Sequence, residues 1–195
     1  MRKIAITGGI AAGKSTVCQI LREFGAYVVD ADEIVHRLLS PQTTVGQKVI
    51  ELLGPDVVVG NQIDRRKVSE IVFSNPKKLR ALEAILHPAV KQIINQEYQT
   101  INKKETYPFF VAEIPLLYEI GMEDEFETII AVICDEKIAR NRSKSFDNFE
   151  PRSSQQLPSS IKAAKADFVI TNNGDLNMLR TSVQKLFQQL RTENQ

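Results

Sequence analysis

The first sixteen residues constrain the fold of this chain more than any other segment. A short apolar run, Lys3–Thr7, predicts a strand, and an amphipathic pattern from Lys14 to about Phe24 predicts a helix. The loop between them contains glycines followed by a lysine and a serine, in the order Gly8-Gly9-Ile10-Ala11-Ala12-Gly13-Lys14-Ser15. This Gly-x4-Gly-Lys-Ser spacing, placed between a strand and a helix, is typical of a phosphate-binding loop, or P-loop.

Each part of this loop has a chemical role in binding a phosphorylated ligand. Gly8 and Gly13 let the backbone turn where a Cβ would clash, so that successive N–H groups can face a phosphate. Lys14 supplies positive charge, the Ser15 hydroxyl can bind magnesium, and the following helix adds the positive end of its dipole. The predicted nucleotide-binding residues of the loop are Gly8, Gly9, Ile10, Ala11, Ala12, Gly13, Lys14, Ser15 and Thr16.

Composition limits the classes of function that the chain can have. Of its 195 residues, 43% are hydrophobic and 25% are charged, as expected for one well-packed domain. The net charge of +1 gives no electrostatic basis for binding nucleic acid, and no long uncharged apolar run could span a membrane. The apolar run behind Arg2 and Lys3 is too short for a signal peptide, which favours the cytoplasm. We expect a monomer or a weak homo-oligomer, without a nucleic-acid or membrane partner.

The remaining hydrophobic pattern predicts an α/β fold. Short β-branched runs are typical of buried parallel strands, and longer patterns of helical periodicity lie between and after them. The predicted strands are Tyr27–Val29, Phe109–Ala112, Thr128–Ile133 and Asp167–Ile170, and the longest predicted helices are Leu79–Tyr98 and Leu176–Leu190.

Two long connections interrupt this alternation. The stretch from residue 31 to residue 108 is mostly helical by pattern and longer than a simple crossover requires, which predicts a helical subdomain near the ligand-binding edge of the sheet. The segment Lys137–Lys165 is polar and rich in serine, lysine and arginine, which favours a lid near the phosphates. We therefore predict one domain with a core at about 1–33, 108–136 and 166–195, a helical acceptor-binding insertion at about 34–107 and a lid at about 137–165.

Two acidic residues directly follow the second predicted strand, in the order Asp30-Ala31-Asp32. Phosphoryl transfer requires positioning, a metal ion and a carboxylate that accepts the proton of the attacking hydroxyl. Asp32 is our candidate for that base. The alternative is a helix N-cap followed by a solvated acid.

Several further motifs together resemble the dephospho-CoA kinase family over nearly the whole chain. The resemblance implies a P-loop NTPase fold in three layers, with a parallel sheet core, a helical substrate-binding insertion and a lid. It also implies ATP and magnesium as cofactors and transfer of the γ-phosphate to the ribose 3′-hydroxyl of dephospho-CoA, which gives CoA. The matching segments are Thr7–Ile10, Gly13–Val17, Val29–Asp32, Ile63–Arg65, Leu86–Pro88, Ile114–Glu119, Ala166–Ile170 and Asn172–Gly174.

The resemblance also implies roles on the acceptor side. Arg65 matches an arginine near the substrate, and its planar guanidinium suits a pyrophosphate because it can bond two oxygens at once. His87 would contact the acceptor adenosine. By residue type alone, Arg65 could equally be a surface arginine and His87 a structural residue, and the sequence predicts a kink or break of the helix at His87-Pro88. The residues expected to line the acceptor cleft are Pro115, Leu116 and Leu117.

Glu113, on the third predicted strand, lies where many P-loop enzymes place a carboxylate for the shell of a magnesium ion. The family more often has aspartate at this position, and the alternative role of Glu113 is that of a buried, paired structural carboxylate. Ala11 and Ala12 replace the commoner Gly-Ser of the family. An alanine would strain the loop if position 11 required a positive φ.

The predicted lid departs from the family pattern of two spaced arginines. Arg140 is our candidate for contact with the transferring phosphate, and the second arginine is replaced by Lys144 or has moved to Arg142. Later in the same segment, Gln156, Pro158 and Lys162 match the family again. Asn172, in a predicted turn, could recognise adenine through its amide, although a plain turn would also explain it.

Three classes of function remain to be compared. A kinase for dephospho-CoA accounts for all of these motifs, whereas a P-loop kinase for another small-molecule or nucleotide acceptor accounts for Lys14 and Asp32 only. A nucleotide-dependent switch of the GTPase type would need an Asp-x-x-Gly sequence, which the chain lacks. The predicted catalytic residues are Asp32, Lys14 and Arg140.

Overall fold

The computed structural model describes residues 1–143 and 156–193; Lys144 and the rest of the predicted lid up to residue 155 lie outside the described residues. The strands are β1 (Arg2–Gly8), β2 (Tyr27–Asp30), β3 (Val58–Val59), β4 (Gln62–Ile63), β5 (Phe109–Glu113), β6 (Thr128–Ile133) and β7 (Phe168–Thr171). The helices are α1 (Lys14–Glu23), α2 (Ala31–Leu38), α3 (Thr44–Leu53), α4 (Arg65–Phe73), α5 (Pro76–Asn102), α6 (Glu136–Ser143), α7 (Ser159–Lys165) and α8 (Leu176–Thr192), with 3₁₀ helices at Pro55–Val57 and Glu123–Glu125. Among these described helices, none has the length and apolarity needed to cross a membrane.

The chain divides into two compact units. The sheet unit consists of Met1–Asp30 and Glu97–Gln195, and the helical unit consists of Ala31–Gln96. The predicted insertion at about 34–107 overlaps the helical unit, but the unit begins at Ala31 and ends within α5. The last turns of α5 belong to the sheet unit because Tyr98 packs edge-on against Phe110 and donates a hydrogen bond to the Met1 carbonyl.

The sheet unit is built on five parallel strands in the order β2-β5-β1-β6-β7. Apolar residues of β1, β5, β6 and β7 pack on one face against α1 and α8, where the Phe187 ring lies 5.1 Å from that of Phe109. On the other face, α7 lies against β1 and β6. Helices therefore cover both faces of a parallel sheet, and the predicted α/β fold in three layers is confirmed.

Parallel pairing brings the carboxyl ends of the strands to one edge of the sheet. Gly8, the last residue of β1, is in register with Val132, and Asp30, the last residue of β2, is in register with Glu113 of β5. In open α/β folds this edge is where ligands bind. The loop that follows β1 therefore begins at the functional edge, next to the acidic ends of β2 and β5.

The helical unit has a core of its own. Its buried residues come from α3, the 3₁₀ helix Pro55–Val57, β4, α4 and α5, together with Leu39 after α2, and Val49 and Val57 are fully inaccessible to solvent. The Thr43 hydroxyl caps α3 by accepting the N–H of Gly46, and Asp64 caps α4 by accepting the N–H groups of Arg66 and Lys67. These caps account for where the helices begin.

The sequence predicts a kink or break at His87-Pro88, and the break is wrong, because α5 continues from Pro76 to Asn102 with Pro88 inside it. Proline removes one backbone hydrogen bond and disfavours a helical residue before it. On either side of this position, however, Leu82, Val90 and Ile94 are buried. We attribute the unbroken helix to this packing, which offsets the local preference.

Candidate nucleotide-binding and phosphoryl-transfer site

The two glycines that define the P-loop spacing both have a positive φ, and a Cβ at either one would be crowded. Gly8 has a φ of 141°, and a Cβ there would lie 1.9 Å from the Val132 carbonyl oxygen. Gly13, which caps α1, has a φ of 95°, and a Cβ there would lie 2.3 Å from the amide nitrogen of Asn172. A side chain at position 8 would meet the backbone of β6, and one at position 13 would displace the Asn172 amide and require a strained φ.

Ala11, between these glycines, also has a positive φ, of 55°. The loop is therefore strained at this alanine. An L-residue with a side chain pays roughly 1–2 kcal/mol in the left-handed region, whereas glycine does not. The loop accordingly holds a conformation that its own residue at position 11 disfavours.

Lys14 is buried at the first position of α1, with 8% of its surface exposed. Its ammonium group donates to the Gly9 carbonyl at 2.8 Å and to the Gly8 carbonyl at 3.3 Å. The side chain therefore lies over the loop and places a positive charge where the phosphates of a ligand would bind.

Ser15 and Glu113 form a polar pair at the same edge. The Ser15 hydroxyl donates to Glu113 Oε1 at 2.9 Å, and the glutamate is only 6% exposed. Burial raises the pKa of Glu113, the charge of Asp30 raises it further, and the Ser15 hydrogen bond and the Lys14 charge oppose that rise. Burial and the nearby glutamate also raise the pKa of the Cys18 thiol well above its usual value, so this cysteine is a neutral packing residue.

The donors of this pair fit magnesium. The described residues contain no group of three or more histidine, cysteine or acidic side chains that could hold a metal by themselves. Magnesium commonly takes only one or two protein oxygens and completes its shell with phosphate and water. A serine hydroxyl and a carboxylate at a P-loop match that requirement.

A cavity of about 390 Å³ opens beside the loop. Arg140 lies in its wall, 59% exposed, and its guanidinium donates to Glu136 Oε1 through two nitrogens, at 3.0 and 2.7 Å. Because this pair is exposed, it holds the arginine only weakly, and the guanidinium can turn towards a ligand phosphate. The other lining residues include Gly9, Ile10, Ala12, Cys134 and Ser159.

A second cavity, of about 190 Å³, lies on the other side of the loop and is lined by Gly13, Thr16, Arg142, Asn172 and Gly174. The buried Asn172 amide nitrogen donates to the Ala12 carbonyl at 2.8 Å. The Arg142 guanidinium donates to the Asn172 backbone carbonyl at 3.1 Å and to its side-chain oxygen at 3.5 Å. Asn172 thus ties the turn after β7 to the P-loop, and Arg142 of α6 contacts that turn.

The segment after β5 is fixed from two directions. The Pro115 carbonyl accepts a hydrogen bond from the Thr7 hydroxyl at 3.3 Å and another from the Lys162 ammonium group at 2.6 Å. Leu117 is fully buried, while Pro115 and Leu116 are half-buried. The sequence identified Lys162 only as a matching residue, and no local pattern signals its contact with Pro115.

The remaining candidates belong to the helical unit and lie on three different helices. Asp32 is exposed in the first turn of α2, and Arg65 is exposed at the first position of α4, next to the capping Asp64. His87 is half-buried in α5, and burial lowers its pKa, so its imidazole is neutral at pH 7. The sheet unit brings together Lys14, Ser15 and Glu113, and the helical unit carries the acceptor-side candidates separately.

Comparisons with known proteins agree with this arrangement. A profile of the dephospho-CoA kinase family matches residues 2–178. A dephospho-CoA kinase from Protochlamydia amoebophila is 48% identical over 98% of this chain and 97% of its own length. The solved dephospho-CoA kinase from Campylobacter jejuni superposes with a TM-score of 0.74 at 26% identity, covering 99% of this chain and 98% of that one.

A more distant structure shares the fold alone. The shikimate kinase from Acinetobacter baumannii superposes with a TM-score of 0.53 at 12% identity, over 99% of this chain and 94% of that one. A solved dephospho-CoA kinase and a more distant shikimate kinase therefore both confirm the P-loop kinase fold. Since the family profile spans most of the chain and a full-length relative shares nearly half of its residues, this chain belongs to the dephospho-CoA kinase family.

Proposed function

We propose that this chain transfers the γ-phosphoryl group of ATP to the ribose 3′-hydroxyl of dephospho-CoA, forming CoA and ADP. The observation that carries the proposal is the arrangement of Lys14, Ser15 and Glu113 around the P-loop, in a chain of this family. We further propose that it acts in the cytoplasm with magnesium, as a monomer or a weak homo-oligomer.

On the nucleotide side, the residues of this chain act by position and charge. Loop N–H groups from Gly9 to Thr16 would bind the β- and γ-phosphate oxygens. The Lys14 ammonium group, which donates to the Gly9 carbonyl, would donate hydrogen bonds to those oxygens as well. The Arg140 guanidinium would break its hydrogen bonds to Glu136 and bind the transferring phosphoryl group. Cations held at the position where negative charge develops lower the barrier most.

Magnesium, when bound, would neutralise phosphate charge and orient the triphosphate. In this chain the Ser15 hydroxyl would hold it directly, and Glu113 would bind one of its water ligands. Glu113 must be ionised for this role. Burial raises the pKa of Glu113, while the Ser15 hydrogen bond and the Lys14 charge favour its ionised form.

On the acceptor side, Asp32 would accept the proton of the 3′-hydroxyl as its oxygen bonds to phosphorus and the bond to ADP breaks. Arg65 would bind the pyrophosphate of dephospho-CoA, and His87 would contact its adenosine. The segment Pro115–Leu117 would line the acceptor cleft. These roles rest on the family resemblance of each residue.

The experiment that tests this proposal measures ADP release with ATP and magnesium in the presence of dephospho-CoA, AMP, dTMP or no acceptor. The Lys14→Met protein serves as the blank. We expect turnover that depends on dephospho-CoA. If ADP formed only with another acceptor, the P-loop assignments would stand and those of Arg65, His87 and Pro115–Leu117 would be withdrawn.

A further inference from the structure

Lys162 is a charged side chain that the proposed reaction does not use. It lies in α7 with none of its surface exposed, and its ammonium group pairs with Glu119 Oε1 at 2.8 Å and donates to the Pro115 carbonyl at 2.6 Å. The same glutamate oxygen accepts the N–H of Leu157 at 2.7 Å. A buried ion pair therefore ties α7 to both ends of the segment from Pro115 to Glu119.

Stability alone is a poor explanation for such a pair. Removing two charges from water costs several kcal/mol each, and a buried pair often contributes no more than packed apolar residues of the same volume. The second carboxylate oxygen of Glu119 is also buried, with no hydrogen-bond partner among the residues that the structure describes. What the pair does supply is a fixed geometry, because the lysine can satisfy its partners in only one arrangement.

That geometry relates the acceptor segment to the phosphate loop. Ser159 lies one turn before Lys162 on the same side of α7 and directly faces the loop, since a Cβ on Gly9 would lie 2.4 Å from its hydroxyl oxygen. From the opposite side, the Thr7 hydroxyl of β1 donates to the same Pro115 carbonyl. The carbonyl is thus held between α7 and the strand that leads into the P-loop.

We propose that Lys162 is a positioning residue for the acceptor. By fixing the Pro115 carbonyl and Glu119, it sets where Pro115–Leu117 stand relative to the phosphate loop, and so where the acceptor hydroxyl meets the γ-phosphate. This inference rests on the proposed function, in which Pro115–Leu117 line the acceptor cleft. A residue of this kind affects acceptor kinetics without touching either substrate.

The test compares steady-state kinetics of Lys162→Met with those of Lys165→Met. Lys165 lies on the same helix with its side chain 46% exposed; it pairs with Glu123 at 3.3 Å and lies 4.4 Å from the centre of the Tyr118 ring, so it contacts the same segment through interactions that do not involve the Pro115 carbonyl or Glu119. For Lys162→Met we expect kcat/KM for dephospho-CoA to fall about ten- to a hundred-fold, while the KM for ATP changes less than about two-fold. For Lys165→Met both values should stay within about two-fold of the unmodified protein.

Thr7→Val provides a second variant if Lys162→Met does not fold. It removes the other donor to the Pro115 carbonyl without leaving a buried charge unpaired. We expect kcat/KM for dephospho-CoA to fall about three-fold, with the KM for ATP unchanged. Three results would overturn the proposal. They are an equal change in the kinetic constants for both substrates, a larger change for ATP, and a lowered melting temperature with unchanged kinetics per folded molecule. If the unmodified protein uses another acceptor, the proposed function fails, and the same comparison with that acceptor still tests Lys162.

Discussion

Lys14 and Asn172 of the sheet unit are buried and bonded to backbone carbonyls, whereas Asp32 and Arg65 of the helical unit are exposed on their helices. Lys14 donates to Gly9 and Asn172 donates to Ala12, and both side chains are less than a tenth exposed. By contrast, Asp32 and Arg65 are exposed. Substitutions in the sheet unit should therefore affect folding and chemistry together, while those in the helical unit should affect chemistry alone.

The largest expected effect tests the sheet unit. Lys14→Met should lower kcat about a thousand-fold, because it removes the charge that the loop holds for the phosphates. It should also lower the melting temperature, since the Gly9 carbonyl loses its partner. The measurement is single-turnover ADP formation together with thermal unfolding.

Lys3→Met is the matched control for Lys14→Met. Lys3 is also a buried lysine, but it lies near the start of β1, at the end of the strand opposite the P-loop, with its ammonium group over the rings of Tyr98 and Phe126. The Lys3→Met variant should be less stable than the unmodified protein but keep its activity per folded molecule. If the two variants lost activity equally, the charge at the P-loop would not be what matters.

The next effect tests the helical unit. Asp32→Asn should lower kcat about a hundred-fold with little change in melting temperature, because the side chain is exposed and, in the proposed reaction, accepts the acceptor's proton. Glu33→Gln, at the next exposed acid of α2, should change neither value. Near-normal turnover of Asp32→Asn would remove the base assignment.

Arg65→Lys should have an intermediate effect that separates charge from shape. Lysine keeps the charge but cannot bond two pyrophosphate oxygens through a planar fork, so the KM for dephospho-CoA should rise about ten-fold at constant stability. Arg66→Lys, one position further along α4 and also exposed, is the control and should leave KM unchanged. A similar KM for both variants would make Arg65 an ordinary surface arginine.

The same contrast explains what the sequence could predict. The strands of the sheet, the P-loop and α8 were all predicted, because each depends on neighbouring residues: an apolar run, a glycine spacing or a helical period. The contacts that fix the site join distant residues. Asn172 and Ala12 are 160 positions apart, and Lys162 and Pro115 are 47 apart, so no local pattern contains either pair.

Two further features depended on tertiary context. Proline disfavours a helix locally, and yet α5 runs through Pro88 between buried residues on both sides. Ala11 has a positive φ in a loop that lies against Val132 and Asn172, residues distant in the sequence, and an alanine gives no local sign of such a φ. In both places packing overrides the preference of the individual residue.

The smallest expected effect follows from that strain and sharpens the account of the sheet unit. Ala11→Gly should raise stability by about 1 kcal/mol, or a melting temperature increase of roughly 2–4 °C, because glycine accepts the φ of 55° without cost. Ala12→Gly, at the next position, should lower stability by about the same amount, because Ala12 is buried, its φ is not positive and glycine gains only backbone entropy on unfolding. Thermal unfolding of the two variants measures both changes in stability. Changes of opposite sign at these adjacent alanines would locate the strain at Ala11. If both variants lost stability, the loop would not be strained at position 11, and the rigidity of the sheet unit would come from its hydrogen bonds alone.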